Sequence, residues 1–193
     1  MLSRLINYTV SFFPAHLSRQ LRELYVAVAI GNLAVSAVMI FEPIYLYKLG
    51  YSIPSIIAFY GVVYILYFIT MPYGAGVALR YGYEKIIFLS SLFLVGFYLS
   101  FIGVAASPVF LPIAALCYAL QKAFYWPSFY YGFSIYGRDE EEGREVGNWE
   151  VLEVIVSALG PLLGGLLLFM SNFATLFVVA SLLILIANIP LLV

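Results

Sequence analysis

Charge is scarce in this chain. Of its 193 residues only 10% are Asp, Glu, Lys or Arg, while 64% are hydrophobic. A soluble domain carries about 25% charged residues, because its surface has to be wetted. With a mean hydropathy of +1.03, the chain lacks the polar side chains to cover a globule of its size. That excludes an ordinary water-soluble domain and makes lipid its main solvent. Basic excess is missing too: a net charge of −1 and a pI near 5.8 argue against nucleic acid as a partner. Histidine occurs once, as His16, outside the apolar runs, so no Ser-His dyad is expected at membrane depth. Cysteine also occurs once, as Cys117. It excludes an intrachain disulfide and, with one histidine, a His/Cys zinc cluster. No Walker or dinucleotide glycine loop is present, so neither cofactor nor enzymatic activity is expected.

What is present is organised by its charge-free runs, over residues 24–41, 49–79, 86–121 and 154–193. A helix needs about 20 residues at 1.5 Å each to cross the hydrocarbon. The third and fourth runs, of 36 and 40 residues, are too long for one helix and about right for two. Each has a break where a turn is needed: "GVAASPV" at 103–109 and "MSNFA" at 170–174. Six transmembrane helices follow, at about 23–48, 53–79, 85–105, 109–136, 145–169 and 173–193. Ser52 before Pro54 and Ser107 before Pro108 read as N-terminal caps with proline in the first turn. Continuous apolar runs without alternation argue against a membrane barrel. The fold class is an all-α, multi-pass membrane bundle over residues 23–193, preceded by a segment at 1–22. That segment has no long apolar core followed by a small-residue cleavage site, and reads as retained and cytoplasmic.

Orientation follows from the basic residues. With the N-terminus inside, the cytoplasmic side collects Arg4, Arg19, Arg22, Arg80, Lys85, Arg138 and Arg144, and the other side only Lys48. This positive-inside bias places both termini in the cytoplasm. The longest loop, "GRDEEEGREVG" at 137–147, is then cytoplasmic, and no extramembrane segment is large enough to house a soluble active site.

Two strings carry more than packing. "SALGPLLGGLLLF" at 157–169 sets Gly160, Pro161, Gly164 and Gly165 inside an apolar helix, where glycine and proline are the poorest helix formers. In lipid such residues let backbones approach closely, and Gly160 and Gly164, four apart, share one face. The second string is "GAGVALRYGYEK" at 74–85. "GPLLGG" resembles the fifth-helix signature of the major facilitator superfamily. The second string is similar to that family's loop between the second and third helices, Gly-x-x-x-Asp-Arg-x-Gly-x-Arg/Lys-Arg/Lys. Arg80, Gly82 and Lys85 match it, whereas Leu79 stands for the aspartate and Glu84 for a basic residue. "YLYKLGYS" at the end of the first helix is a softer likeness. The resemblance covers about residues 20–193. It implies a six-helix half of a facilitator, built as a 3+3 helix repeat, with the first and fourth helices lining a central cavity. The family has two such halves. This chain therefore reads as a truncated or split gene product, or as a half that pairs with a second six-helix half or with itself.

Intramembrane polar groups are where function is expected, because each costs several kcal/mol unless paired or hydrated. Asn32 and Glu42 fall on the first helix, and Gln121 and Lys122 near the middle of the fourth. Asn32 reads equally as an interhelical hydrogen-bonding group. Glu42 reads first as an interfacial carboxylate near Lys48, with a coupling role as the alternative. Tyr125 and Trp126, in the aromatic run "FYWPSFYYGF" at 124–133, share depth with Lys122 and form a candidate cavity wall, whereas Tyr130 and Tyr131 fit an interfacial belt. Glu150 and Glu153 are expected in a charge network with Arg80 or Arg144 at the cytoplasmic mouth, with Glu153 also a candidate structural partner of Lys122. The function these features imply is transport of a small solute across the bilayer by alternating access. A six-helix scaffold or assembly protein is the alternative, and a membrane-embedded enzyme a distant third.

Overall fold

A computed structural model describes residues 19–136 and 142–189, excluding the side chains of residues 19–24, 133, 136, 142–146 and 148. The expectations resting on Arg4, His16, Arg138 and the last four residues, and on the side chains of Arg19, Arg22 and Arg144, lie outside this description. The described chain is helical throughout: α1 (Arg19–Met39), α2 (Phe41–Lys48), α3 (Ile53–Tyr81), α4 (Tyr83–Gly103), α5 (Phe110–Tyr136), α6 (Glu142–Met170) and α7 (Phe173–Ala187).

The first span is broken where the sequence reading made it continuous. α1 ends at Met39 and α2 starts at Phe41, four and two residues before Pro43. Proline has no N–H to return to the carbonyl four residues back, here that of Met39, and its ring crowds that carbonyl. Ile40 keeps right-handed helical angles (φ −71°, ψ −25°), so the two segments still form one span, Tyr25–Lys48. The next boundary follows expectation, since the Ser52 hydroxyl accepts from the Ser55 amide at 3.4 Å with proline in the first turn. Between α3 and α4 the backbone turns at Gly82, whose φ of +91° suits glycine alone among common residues. Asn172 caps α7, accepting from the Thr175 amide at 3.0 Å.

Four spans are long and apolar enough to cross a membrane: Tyr25–Lys48, Ile53–Tyr81, Tyr83–Gly103 and Trp149–Met170. The chain thus has the make-up of a membrane-embedded protein. α5, with 27 residues, has the length for a crossing, but Gln121, Lys122 and its tyrosines dilute its apolar character. α7 is apolar but only 15 residues long.

α5 packs extensively against α3 and α4, and α1 against α6 and α7; α4 also meets α7, while α3–α4 and α6–α7 touch only lightly. α3 and α6 are peripheral and display apolar side chains, with Phe68 79% and Phe169 88% exposed. In lipid those faces need no protein cover, and helices associate through close packing rather than through the hydrophobic effect. The close packing is visible at three glycines. A Cβ on Gly74 of α3 would overlap the Ala123 carbonyl of α5, the carbonyl that Pro127 leaves without its helical donor. On the other side of the bundle, a Cβ on Gly160 would overlap Ser36 and one on Gly164 the Ala37 carbonyl. The breakers in the fifth span therefore form the seat of α1.

Candidate functional site

Two aromatic clusters divide the interior. The larger joins Tyr45, Phe59, Phe97, Tyr98, Phe101, Tyr118 and Phe177, with the Phe97 and Tyr118 rings stacked at 4.3 Å. The smaller joins Val28, Tyr83, Ile87, Phe129 and Trp149. Between them lies a cavity of about 100 Å³, lined by α1, α4, α5 and the C-terminal end of α7. Its apolar wall includes Ala27, Val35, Leu94 and Ile184; its polar lining is Asn32, Ser91, Gln121, Lys122 and Asn188, with Tyr118, Tyr125 and Trp126 as aromatic faces.

Five of the six residues expected at a binding or coupling site thus share one cavity: Asn32, Gln121, Lys122, Tyr125 and Trp126. The spacing explains their meeting. Gln121, Lys122, Tyr125 and Trp126 fall at steps of one, three and four along α5, so their side chains rise over one stripe of the helix. Asn188 holds its amide by donating to the Ser91 hydroxyl at 2.8 Å and to the Ile184 carbonyl at 2.6 Å. The side chains of Asn32, Gln121 and Lys122, by contrast, make no hydrogen bond or ion pair within the described residues. Lys122 Nζ instead stands over the Tyr118 ring, 4.3 Å from its centroid, with the Tyr64 ring at 5.6 Å. A desolvated cation–π contact of this kind contributes about 2 kcal/mol.

Glu42 is the sixth, and its place corrects the interfacial reading. It is only 1% exposed, and Lys48 lies 5.3 Å from the Phe173 ring centroid rather than beside it. The break before Pro43 and the register of α2 turn the carboxyl inward among α3, α4 and α5. There Tyr60 donates its hydroxyl to Oε2 at 3.1 Å, whereas Oε1 is buried without a partner. The Tyr98 hydroxyl is likewise buried and unpartnered. Lys122 is the charged group whose field acts on Glu42. Their separation exceeds ion-pair distance among the described residues, and Tyr118 stands in the field of Glu42 while carrying the Lys122 ammonium on its ring.

The expected cytoplasmic charge network is not assembled among the described residues. Arg80 is exposed and lies over the Tyr81 ring at 5.5 Å; Lys85 and Glu150 are exposed, and Glu153 is half-buried. None of them forms an ion pair there, and the Arg144 side chain lies outside the description. Nor does Glu153 pair with Lys122; its charge acts on Tyr125. Tyr60, Tyr98, Tyr118, Ser91 and Asn188 belong to the site but were not singled out in the sequence. Asn188 alone carried a readable signal, an amide at the end of an apolar run. No protein-family model matches the chain, and no curated protein matches it closely enough to serve as a relative.

Proposed function

We propose that the chain is one rocking body of a small-solute transporter of the major facilitator type, with the cavity between α1, α4, α5 and α7 as its solute site. The observation that carries the reading is the set of unpartnered polar side chains, Asn32, Gln121 and Lys122, facing one cavity that meets the middle of α5 and the C-terminal end of α7. In a bilayer such groups persist where they meet water or a guest. A scaffold gains nothing from a lysine held open there.

The packing pattern supports a 3+3 repeat. Let the first span (α1 with α2) exchange with α5, α3 with α6, and α4 with α7. The α4–α5 contact then becomes α7–α1, α3–α5 becomes α6–α1, α3–α4 becomes α6–α7, and α4–α7 maps onto itself. Each of these is a pair that packs. Internal repeats of this kind, with the site near mid-membrane between them, underlie alternating access. A second six-helix body of like architecture completes the pathway in this reading.

The test is uptake into vesicles containing the reconstituted full chain, screened with labelled small anionic and neutral solutes. Accumulation above protein-free vesicles for at least one solute is expected. Uniform failure, with the chain correctly folded, returns it to the scaffold class. Orientation has its own check. A cysteine introduced at Ser107 in a Cys117→Ser background is expected to react with an impermeant maleimide from outside the cell, and one at Gly143 only after permeabilisation. The reverse pattern sinks both the orientation and the facilitator reading.

A further inference from the structure

Apart from the polar cavity, a crevice opens sideways at the end of the bundle that carries Lys48. Only two residues, Ser171 and Asn172, separate α6 from α7, yet the two helices touch only lightly, so they part below their turn. α1 closes the back of the gap. Its floor is small, Ala34 and Ala37 of α1 with Gly164 of α6, and its walls are aliphatic, Leu163 of α6 with Val179 and Leu183 of α7. Every residue that lines it is Gly, Ala, Val or Leu. Leu163 is 49% exposed, so the gap opens on the surface of the bundle rather than into the core. A hollow lined by carbon alone stays dry, and at its mouth in a bilayer the medium is hydrocarbon.

Along α7 the crevice runs from Leu176 to Leu183, about 10 Å at 1.5 Å per residue. A cation lies just above it. Phe173 is three residues before Leu176, on the same side of α7, and Lys48 Nζ stands 5.3 Å from its ring centroid. Lys48 is exposed and has no carboxylate partner among the described residues. The positive end of the α7 dipole falls at the same place.

We infer that this crevice holds one tail of an anionic diacyl phospholipid, with the lipid phosphate at Lys48. The apolar length lies below the ammonium as a tail lies below its phosphate, and lysine serves phosphate as a point charge. Size decides against a helix of another chain as the occupant. A helix with its side chains is about 10–12 Å across, and two helices tied by a two-residue turn do not admit one between them. A single hydrocarbon chain enters. The tail then supplies the contact that α6 and α7 withhold from each other. The inference is independent of the proposed transport, since neither Lys122 nor its cavity takes part.

The experiment is native mass spectrometry of the full chain, released from a sugar-headed detergent and titrated with dioleoyl phosphatidylglycerol. One lipid per chain is expected at low lipid excess, held about fivefold more tightly than dioleoyl phosphatidylcholine, whose choline opposes the ammonium. Leu183→Phe, which fills the crevice from its wall, is expected to abolish that adduct. Leu182→Phe puts the same ring one residue away, at a position 55% exposed, and is expected to retain it. Lys48→Gln is expected to lower the affinity for phosphatidylglycerol about fivefold and to bring the two lipids level. Equal retention in Leu183→Phe and Leu182→Phe overturns the inference, and so does a preference for phosphatidylglycerol that survives Lys48→Gln. A lipid-free dimer as the main species at the same lipid excess assigns the face to a second copy and overturns it too. Should Leu183→Phe fail to assemble, the Lys48→Gln titration decides alone, because a tail held without its phosphate is indifferent to that charge.

Discussion

Gly164→Leu is expected to abolish assembly of the bundle, and Gly164→Ala to weaken it measurably. A Cβ at Gly164 would overlap the Ala37 carbonyl oxygen and crowd the Phe41 ring, whose Cε2 lies at 3.0 Å from that position. The obstacle is backbone, which no rotamer change clears, so α1 has to move away from α6. Overpacking of this kind costs about 1–3 kcal/mol for a small group and more for a large one. The better helix propensity of the new residue, about 0.5–1 kcal/mol, offsets only part of it, and separated helices in lipid find tails as apolar as the partner they lost. Gly165 supplies the internal control. A Cβ there meets Phe41 Cζ at 3.6 Å, ordinary contact, and alanine gains about 0.5–1 kcal/mol over glycine inside a helix. Gly165→Ala is therefore expected to be neutral or stabilising. The measurements are the monodisperse fraction by size-exclusion chromatography in mild detergent and the midpoint of thermal unfolding. Equal tolerance at both positions means that α1 does not sit on this seam.

That seam was legible in the sequence because its cause is local. Glycines four apart share a face whatever surrounds them, and only the identity of the partner, Ser36 and Ala37 on α1, had to come from the fold. The helix order and the stripe on α5 were legible for the same reason. Glu42 was not. Its sequence neighbourhood places it near the outer end of the first span, six residues before Lys48, and depth alone suggests a wet carboxylate. What decides is azimuth: the step at Ile40 and the register of α2 turn the carboxyl inward, onto Tyr60, Tyr98 and Tyr118. Those tyrosines come from three helices and are 3 among 17 in the chain, so no spacing rule separates them from the rest. Glu150 and Glu153 form no ion pair with Arg80 among the described residues, and the Arg144 side chain lies outside them. Their three-residue spacing put them on one side of α6 and suggested a shared charge network, but that helix is peripheral, and Glu150 is left facing out.

Lys122→Met is expected to remove uptake in reconstituted vesicles while leaving yield and monodispersity close to those of the unaltered chain. Methionine keeps an unbranched side chain of similar reach and removes the charge, so the cavity keeps its shape. The charge is not structural cement, since no carboxylate lies within ion-pair distance of Lys122 among the described residues. What the substitution forfeits in the folded state is the contact with the Tyr118 and Tyr64 rings, about 2 kcal/mol, against the saving of a desolvated ammonium, roughly 2.5–3.5 kcal/mol on insertion scales. The two nearly cancel, which is why assembly is expected to survive. Under the proposed function binding has no such offset, because the cation that lines the cavity is gone. Lys122→Arg tests whether charge alone suffices. It restores the positive charge but replaces a compact ammonium with a broad planar fork, and the Tyr118 ring leaves little room beneath it. Partial activity with weakened affinity is expected. A structural role makes a different prediction: Lys122→Met fails to assemble, and Glu153→Gln in the same chain restores assembly by removing an abandoned partner. That rescue would mean that the lysine serves α5–α6 packing and that the cavity it lines is incidental.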